Sequence, residues 1–382
     1  MRHRTVALAC SGLGRVHRGF EAFAASLFDA LRADVDMILY KGHGPRGRNE
    51  VVVPNVPRSL ILRLGFTRDA GQAYRWEQLS FALALTPRLL FRRHAIVHYM
   101  DGALAAVLLR VRRVLRLDFV LLFKNGGAHT PDTYARIDYV QVVTPLQYRE
   151  ALAHGIPDNR LFMIPLAVDC ESLHRRPDCD AAALRAQYRI PASAWVIASV
   201  AALNKSDKRL DWIIREVARL DMSDAFLLMV GQDGPETPAL QHLARELLPG
   251  RHAFAFVPHQ RVREIYWLSD IFALGSLREG FGLAVAEAAC AGTPVVVHDS
   301  EHFQWLVPHP ASHVDMTTQG CVADRLQTLR ANPDLQREMV IDNLVAARSR
   351  FSWDVLRPQY IQMYNAVRQR ADQESAMPPA RH

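Results

Sequence analysis

Apolar positions along this chain follow two alternating rhythms. Short aliphatic or β-branched runs read as strands at 5–9, 35–40, 95–99, 119–123 and 139–143, and again at 195–200, 226–230, 252–257, 271–274 and 295–297. Between them the spacing changes to that of a helix. Phe20, Phe23, Ala24, Leu27, Phe28 and Leu31 make one apolar face. Similar patterns predict helices at 72–93 up to Pro87, 103–115, 210–220, 238–248 and 261–267. Residues 41–58, rich in Gly, Pro and Arg, read as a loop. Strands that alternate with helices predict parallel sheets covered on both faces. The rhythm is interrupted once, where LFMIPLAVD runs into the polar ESLHRRPDCD, and a domain boundary is expected there, near 170–180. The expected organisation is a first domain at 1–175, a second at 176–352, a C-terminal helix at 353–370 packing back on the first, and a disordered tail at 371–382.

Length agrees with this division, because 382 residues suffice for two domains of ordinary size. No apolar run approaches the eighteen or so residues of a membrane span, and the run at 5–9 reads as a first strand, not a signal peptide. The five cysteines, at 10, 170, 179, 290 and 321, are odd in number and lack CxxC spacing. Reduced thiols in a cytoplasmic protein are therefore expected. Charge is uneven: residues 1–175 carry 24 Lys+Arg against 15 Asp+Glu, and the remainder 22 against 24. A basic first half suits an anionic acceptor or peripheral contact with an anionic membrane; ordinary solvated faces are the competing reading, and no nucleic-acid partner is expected.

The most informative stretch is LREGFGLAVAEAACAGTPVVV. Gly280 and Gly282 flank Phe281 directly before a helical pattern that begins near Leu283. Free N–H groups and the positive end of the dipole make such a helix start an anion site, and glycine lets the backbone come close to a phosphate. Glu279 stands just before the turn. Glu287 stands about five residues into the helix, about 7.5 Å along its axis. Carboxylates are good acceptors for vicinal hydroxyls, so the pattern suits a diphosphate with a sugar on either side. SGLGRVHRG, with Gly12, Gly14 and Gly19, opens the first helix and reads either as a tight turn alone or as a ligand contact through Gly14. Asp34 and Asp36 spell a DxD that could hold a metal elsewhere. Here it opens a predicted strand, and no metal site is expected.

REGFGLAVAEAACAGTPVV resembles the signature of the retaining family 4 glycosyltransferases of the GT-B fold, with its Glu-x7-Glu motif. SVAALNKSDKRLDWIIREV, LLMVGQDGPETPALQHLA and IPLAVD are similar to further segments of that family, and together they cover most of 160–305. The resemblance implies two Rossmann-like, doubly wound parallel-sheet domains facing a cleft, the first binding the acceptor and the second the nucleotide sugar. It implies a hexosyltransferase that moves a sugar, with retention, from a UDP- or GDP-type nucleotide diphosphate sugar to a glycan, lipid-linked or small-molecule acceptor. No cofactor beyond the co-substrate and no metal are implied. Glu287 would bind the ribose and Glu279 the transferred sugar. Gly280, Phe281, Gly282 and Leu283 would contact the diphosphate through their backbone, Val257 and Pro258 would hold the base, and Lys208 would neutralise the departing diphosphate. The chain departs from the family twice. Ala201-Ala202-Leu203 stands where an arginine is common, and Lys205 is the candidate replacement. In FKNGGAHTP, Lys124 or Asn125 occupies the place of a histidine, with His129 slightly later as the candidate catalytic group. A non-catalytic sugar-nucleotide-binding subunit and a GT-B epimerase remain alternatives. An NAD-linked dehydrogenase is disfavoured because Val16 and His17 stand where its fingerprint needs glycine or alanine.

Overall fold

The computed structural model describes residues 5–16, 19–92, 94–127, 129–174 and 180–376. The chain forms two compact units, Met1–Leu166 with Leu356–His382 and Ala167–Val355.

In the first unit seven strands form one sheet: β1 (Thr5–Cys10), β2 (Met37–Lys41), β3 (Glu50–Val52), β4 (His94–Tyr99), β5 (Val120–Asn125), β6 (Tyr139–Val142) and β7 (Leu161–Met163). Their order is β3-β2-β1-β4-β5-β6-β7, and every pair is parallel. Alternation along a strand sends successive side chains to opposite faces. One face carries Ala7, Tyr40, Val97, Leu121 and Val140, packed with Phe81, Leu85 and Leu89 of the helix Ala70–Phe91. The opposite face carries a buried polar row of His98, Lys124 and Gln141. Two of these are answered by the helix Trp353–Ala376: His98 Nδ1 lies 2.7 Å from the Tyr364 hydroxyl, and Gln141 Nε2 donates to the Tyr360 hydroxyl at 2.8 Å. Arg357 Nε, on the same helix, donates to Asp34 at 2.8 Å, and Asp36 accepts from the Thr5 hydroxyl. Both aspartates of the DxD are thus engaged in contacts within the sheet's surroundings.

The loop expected at 41–58 contains β3 and runs into a short helix, Arg58–Arg63. Only three residues, Glu-Val-Val, pair with β2, too few to raise a signal against the surrounding Gly, Pro and Arg. The helix Ala70–Phe91 passes through Pro87 instead of stopping. A proline there removes one hydrogen bond to the carbonyl four residues earlier. That residue is Leu83, 63% exposed, so water reaches the unpaired group. Residues 371–376 continue the last helix, and 377–382 lie outside the described residues.

The second unit has six strands: β8 (Trp195–Val200), β9 (Ala225–Val230), β10 (His252–Ala255), β11 (Ile271–Ala273), β12 (Val295–His298) and β13 (His313–Val314). The order β10-β9-β8-β11-β12-β13 is again parallel throughout. Ile197, Leu227, Met229, Ile271 and Val296 face Leu210, Ile213 and Val217 of the helix Leu210–Ala218 and Val322 and Leu326 of the helix Cys321–Ala331. The cysteine expectation needs correction: Cys170 and Cys290 are joined in a disulfide with Cα atoms 5.1 Å apart. They are 120 positions apart, so no local spacing could announce the pair. Cys10 and Cys321 are free, and Cys179 lies outside the described residues.

Glu216 joins two helices of this unit. Its carboxylate is 1% exposed and accepts from the backbone N–H groups of Gly320 (2.9 Å), Val322 (3.1 Å) and Ala323 (3.2 Å), the free donors at the start of Cys321–Ala331. Glu216→Ala would leave these donors without a partner inside the core. The expected loss is about 3 kcal/mol in chemical denaturation, and a loss below about 1 kcal/mol would show that water replaces the carboxylate.

Candidate functional site

The second unit gathers its candidate residues at the carboxyl ends of its strands, where ligands bind in parallel sheets. After β8 the chain turns through Asn204, whose Oδ1 accepts from the backbone of Asp207 (3.2 Å) and Lys208 (2.8 Å). Arg209 then takes a left-handed conformation, φ 47°, and the helix Leu210–Ala218 begins. This turn lies against the chain after β11. A Cβ on Gly275 would come within 2.7 Å of the Arg209 carbonyl oxygen and 3.0 Å of that of Lys208. The Arg209 side chain, stacked 4.5 Å over Trp212, donates to the Met316 carbonyl at 2.9 Å. Lys208 is thereby directed along the strand ends, and its Nζ meets Glu279 Oε1 at 2.6 Å.

Glu279 leads into the glycine turn. Gly282 has φ 86°, accessible to glycine at little cost, and caps the helix Leu283–Cys290. Phe281 points inward, 2% exposed, with its ring edge-on to Trp305 (6.1 Å) and Phe351 (5.4 Å). Its carbonyl accepts from His302 Nε2 at 3.1 Å. Because a carbonyl only accepts, that nitrogen carries the proton, and burial lowers the pKa of His302 so that the ring stays neutral. Only the backbone of Phe281 is thus available to a ligand. Glu287, 7% exposed, is held on both oxygens: His259 Nε2 lies 3.0 Å from Oε1, and the Tyr266 hydroxyl donates to Oε2 at 2.8 Å. Burial, and then the Glu287 charge, push the Tyr266 pKa well above its ordinary value, which keeps it a donor. Val257 is buried and Pro258 exposed at the end of the β10 segment, directly before His259.

Lys205 precedes Lys208 by three residues on the same turn. Its backbone and that of Ser206 are fixed by the Glu236 carboxylate, whose pKa is lowered chiefly by the hydrogen bond from Lys205 N–H. Gly14, His129, Lys124 and Asn125 belong to the first unit. Gly14 has φ 91°, and a Cβ there would sit 2.1 Å from the His43 carbonyl oxygen, so the turn is packed as tightly as glycine allows. His129 packs edge-on against Phe123 at 5.8 Å, and desolvation lowers its pKa. Asn125 Nδ2 donates to the His129 carbonyl at 3.1 Å. Lys124, 1% exposed, points from β5 toward the helix Gly19–Leu31, with Nζ 3.8 Å from the centre of the Phe23 ring and no hydrogen-bond partner among the described residues. Burial draws its pKa down to about 7. Among the described residues no cluster of three or more His, Cys, Asp or Glu could hold a metal.

His259, Tyr266, Asn204, Gly275 and His302 were not singled out from the sequence. His259 lies on the 3-10 turn His259–Arg261 that precedes the helix Val262–Leu268 carrying Tyr266, so helical spacing gave no signal for the pair.

Residues 180–342 match the family model described as glycosyl transferases group 1. Alpha-galactosylglucosyldiacylglycerol synthase of Streptococcus pneumoniae is 26% identical over 174 residues, 45% of this chain and 46% of that protein. D-inositol 3-phosphate glycosyltransferase of Corynebacterium urealyticum is 31% identical over 191 residues, 47% of this chain and 44% of that protein. The chain thus spans about half the length of the curated relatives it matches. Among solved structures, sucrose-phosphate synthase from Thermosynechococcus elongatus superposes with a TM-score of 0.78 at 18% identity, covering 95% of this chain and 98% of that one. Anabaena HepE in complex with UDP-glucose gives 0.75 at 14% identity, covering 95% and 100%. These two likenesses identify the fold as GT-B, with two parallel-sheet α/β domains.

The Glu287 carboxylate raises the pKa of His259 above its ordinary value, through the hydrogen bond first and its charge second. The pair's contribution to stability is therefore complete below the ordinary value of about 6.5 and is lost as pH rises through the raised one. The His259 ring protons, followed by NMR, should titrate above 6.5, and Glu287→Gln should bring the midpoint down. An unmoved midpoint would mean that the ion pair does not form in solution.

Proposed function

We propose that this chain is a GT-B glycosyltransferase of family 4 type and moves a sugar from a UDP- or GDP-type nucleotide diphosphate sugar to a hydroxyl acceptor with retention of configuration. The observation that carries this reading is the Lys208–Glu279 pair beside the Gly282 helix start, with Glu287 held in the same helix. The diphosphate would lie on the N–H groups of that helix start. Glu287, already accepting from two donors, would present its remaining lone pairs to the ribose hydroxyls. Val257 and Pro258 would border the base. Glu279 would accept from the transferred sugar, and His129 would act from the first unit.

The reaction breaks the bond between the anomeric carbon and the diphosphate oxygen, and the electron pair leaves with the diphosphate. Negative charge grows there, so a cation is worth more in the transition state than in the bound donor. Lys208 can supply it while keeping Glu279 oriented. The helix dipole and this lysine together provide the positive charge that the leaving group requires, and turnover is expected to survive chelation of divalent metals.

Lys208→Ala removes the cation and leaves the Glu279 carboxylate, with its side chain 10% exposed, unpaired beside the phosphates. Turnover should fall by roughly a hundredfold or more, with a smaller change in the donor's KM. Lys208→Arg should restore part of it. Steady-state kinetics at saturating acceptor measure this, and near-normal turnover in Lys208→Ala would shift the role to Lys205 or to the first unit. Glu287→Gln should weaken donor binding by about 1.5–3 kcal/mol in calorimetry. Unchanged affinity in a folded variant would remove the ribose assignment.

A further inference from the structure

The helix Ala70–Phe91 is apolar on two faces. One packs inward through Ala73, Phe81, Ala82, Leu85 and Leu89. The other turns Trp76, Leu83 and Leu90 to solvent, exposed by 56, 63 and 43%. Their seven-residue spacing places them in one stripe about 21 Å long. Phe91 extends it at one end, 89% exposed, and Leu64 and Phe66 at the other, 58 and 77% exposed on the turn after Arg58–Arg63. A surface helix ordinarily carries polar residues on its outer face. An exposed apolar patch of this extent marks an interaction surface.

The charges around the stripe select its partner. Between 56 and 92 there are six arginines and only two acidic residues, Asp69 and Glu77. Asp69 is occupied in capping the helix, accepting from Gly71 and Gln72 N–H. Glu77 is buried and clamped by Arg58 through its backbone N–H and guanidinium. Arg63, Arg68, Arg75 and Arg92 are therefore left exposed at the rim with little to neutralise them. A second copy of the chain docking here by two-fold symmetry would set arginine against arginine. An anionic lipid surface meets both demands: phosphates for the arginines and an acyl boundary for Trp, Leu and Phe. Among the described residues no helix is long and apolar enough to cross a membrane, so the contact would lie in the plane of the interface.

We propose that the outer face of Ala70–Phe91, with the turn carrying Leu64 and Phe66, docks the first unit onto an anionic lipid bilayer. This rests on the surface alone and is independent of the transfer reaction. Flotation of the full chain with vesicles tests it. Vesicles containing phosphatidylglycerol should carry the protein, and pure phosphatidylcholine vesicles should carry at least tenfold less. Trp76→Ser/Leu83→Ser/Leu90→Ser should weaken binding at least tenfold. Arg63→Ala and Arg68→Ala should each weaken it roughly fivefold, and added salt should act in the same direction. All these side chains are exposed, so circular dichroism and Tm should be unchanged; Phe66→Ser alone serves should the triple variant unfold. No binding to anionic vesicles overturns the proposal, as does equal binding by the apolar variants. A concentration-dependent dimer abolished by the same serines would assign the face to self-association and overturn it as well.

Discussion

The arrangement of the second unit depends on how closely two stretches of backbone approach at Gly275. The turn carrying Lys208 and Arg209 lies on the chain leaving β11, at a distance that leaves no room for a Cβ. That contact fixes the separation between the end of β8 and the segment that continues to Glu279. A methyl group there would push the lysine turn outward, and the 2.6 Å pair could form only by displacing the glycine turn. Arg209 completes the arrangement by accepting an unfavourable left-handed backbone, a cost on the order of 1–3 kcal/mol that its stacking on Trp212 and its bond to Met316 offset. A rigid lysine follows from this, and the Glu279 partner keeps it in place when no ligand is bound.

Much of the fold was legible because its strands are central and long. β1, β4, β5, β8 and β9 are runs of six residues buried on both faces, and their pattern survives any local context. The missed strands, β3, β7 and β13, are two or three residues long and lie at or near sheet edges. Pairing of so few residues is decided by the neighbouring strand and not by their own side chains. The same holds for Pro87: a local rule predicts a stop, but the inward face of the helix supplies enough packing to continue it.

The site divides along a similar line. Residues that bear a local motif, such as Glu279, Gly282 and Glu287, were legible because a helix start and its flanking acids are neighbours in sequence. The residues that aim them come from elsewhere in the chain. Tyr266 and His259 reach Glu287 from 21 and 28 positions away. At Lys124 the motif gave the position but not the direction. Strand alternation turns that side chain under the helix Gly19–Leu31, where burial lowers its pKa to about 7. A lysine near the end of a strand is ambiguous in sequence until the covering helix is known.

The last helix bears on the order in which the protein can form. The first sheet emerges from the ribosome early, but the tyrosines that satisfy His98 and Gln141, and the arginine that meets Asp34, arrive only after the whole second unit has been made. Until then one face of a seven-stranded sheet lacks part of its cover. Contacts such as His98–Tyr364 span 266 positions and cannot close until the helix Trp353–Ala376 has been made. The second unit, continuous from Ala167 to Val355, has no such delay. Of the two units, the first is therefore expected to complete its packing later and to need protection until the helix Trp353–Ala376 has been made.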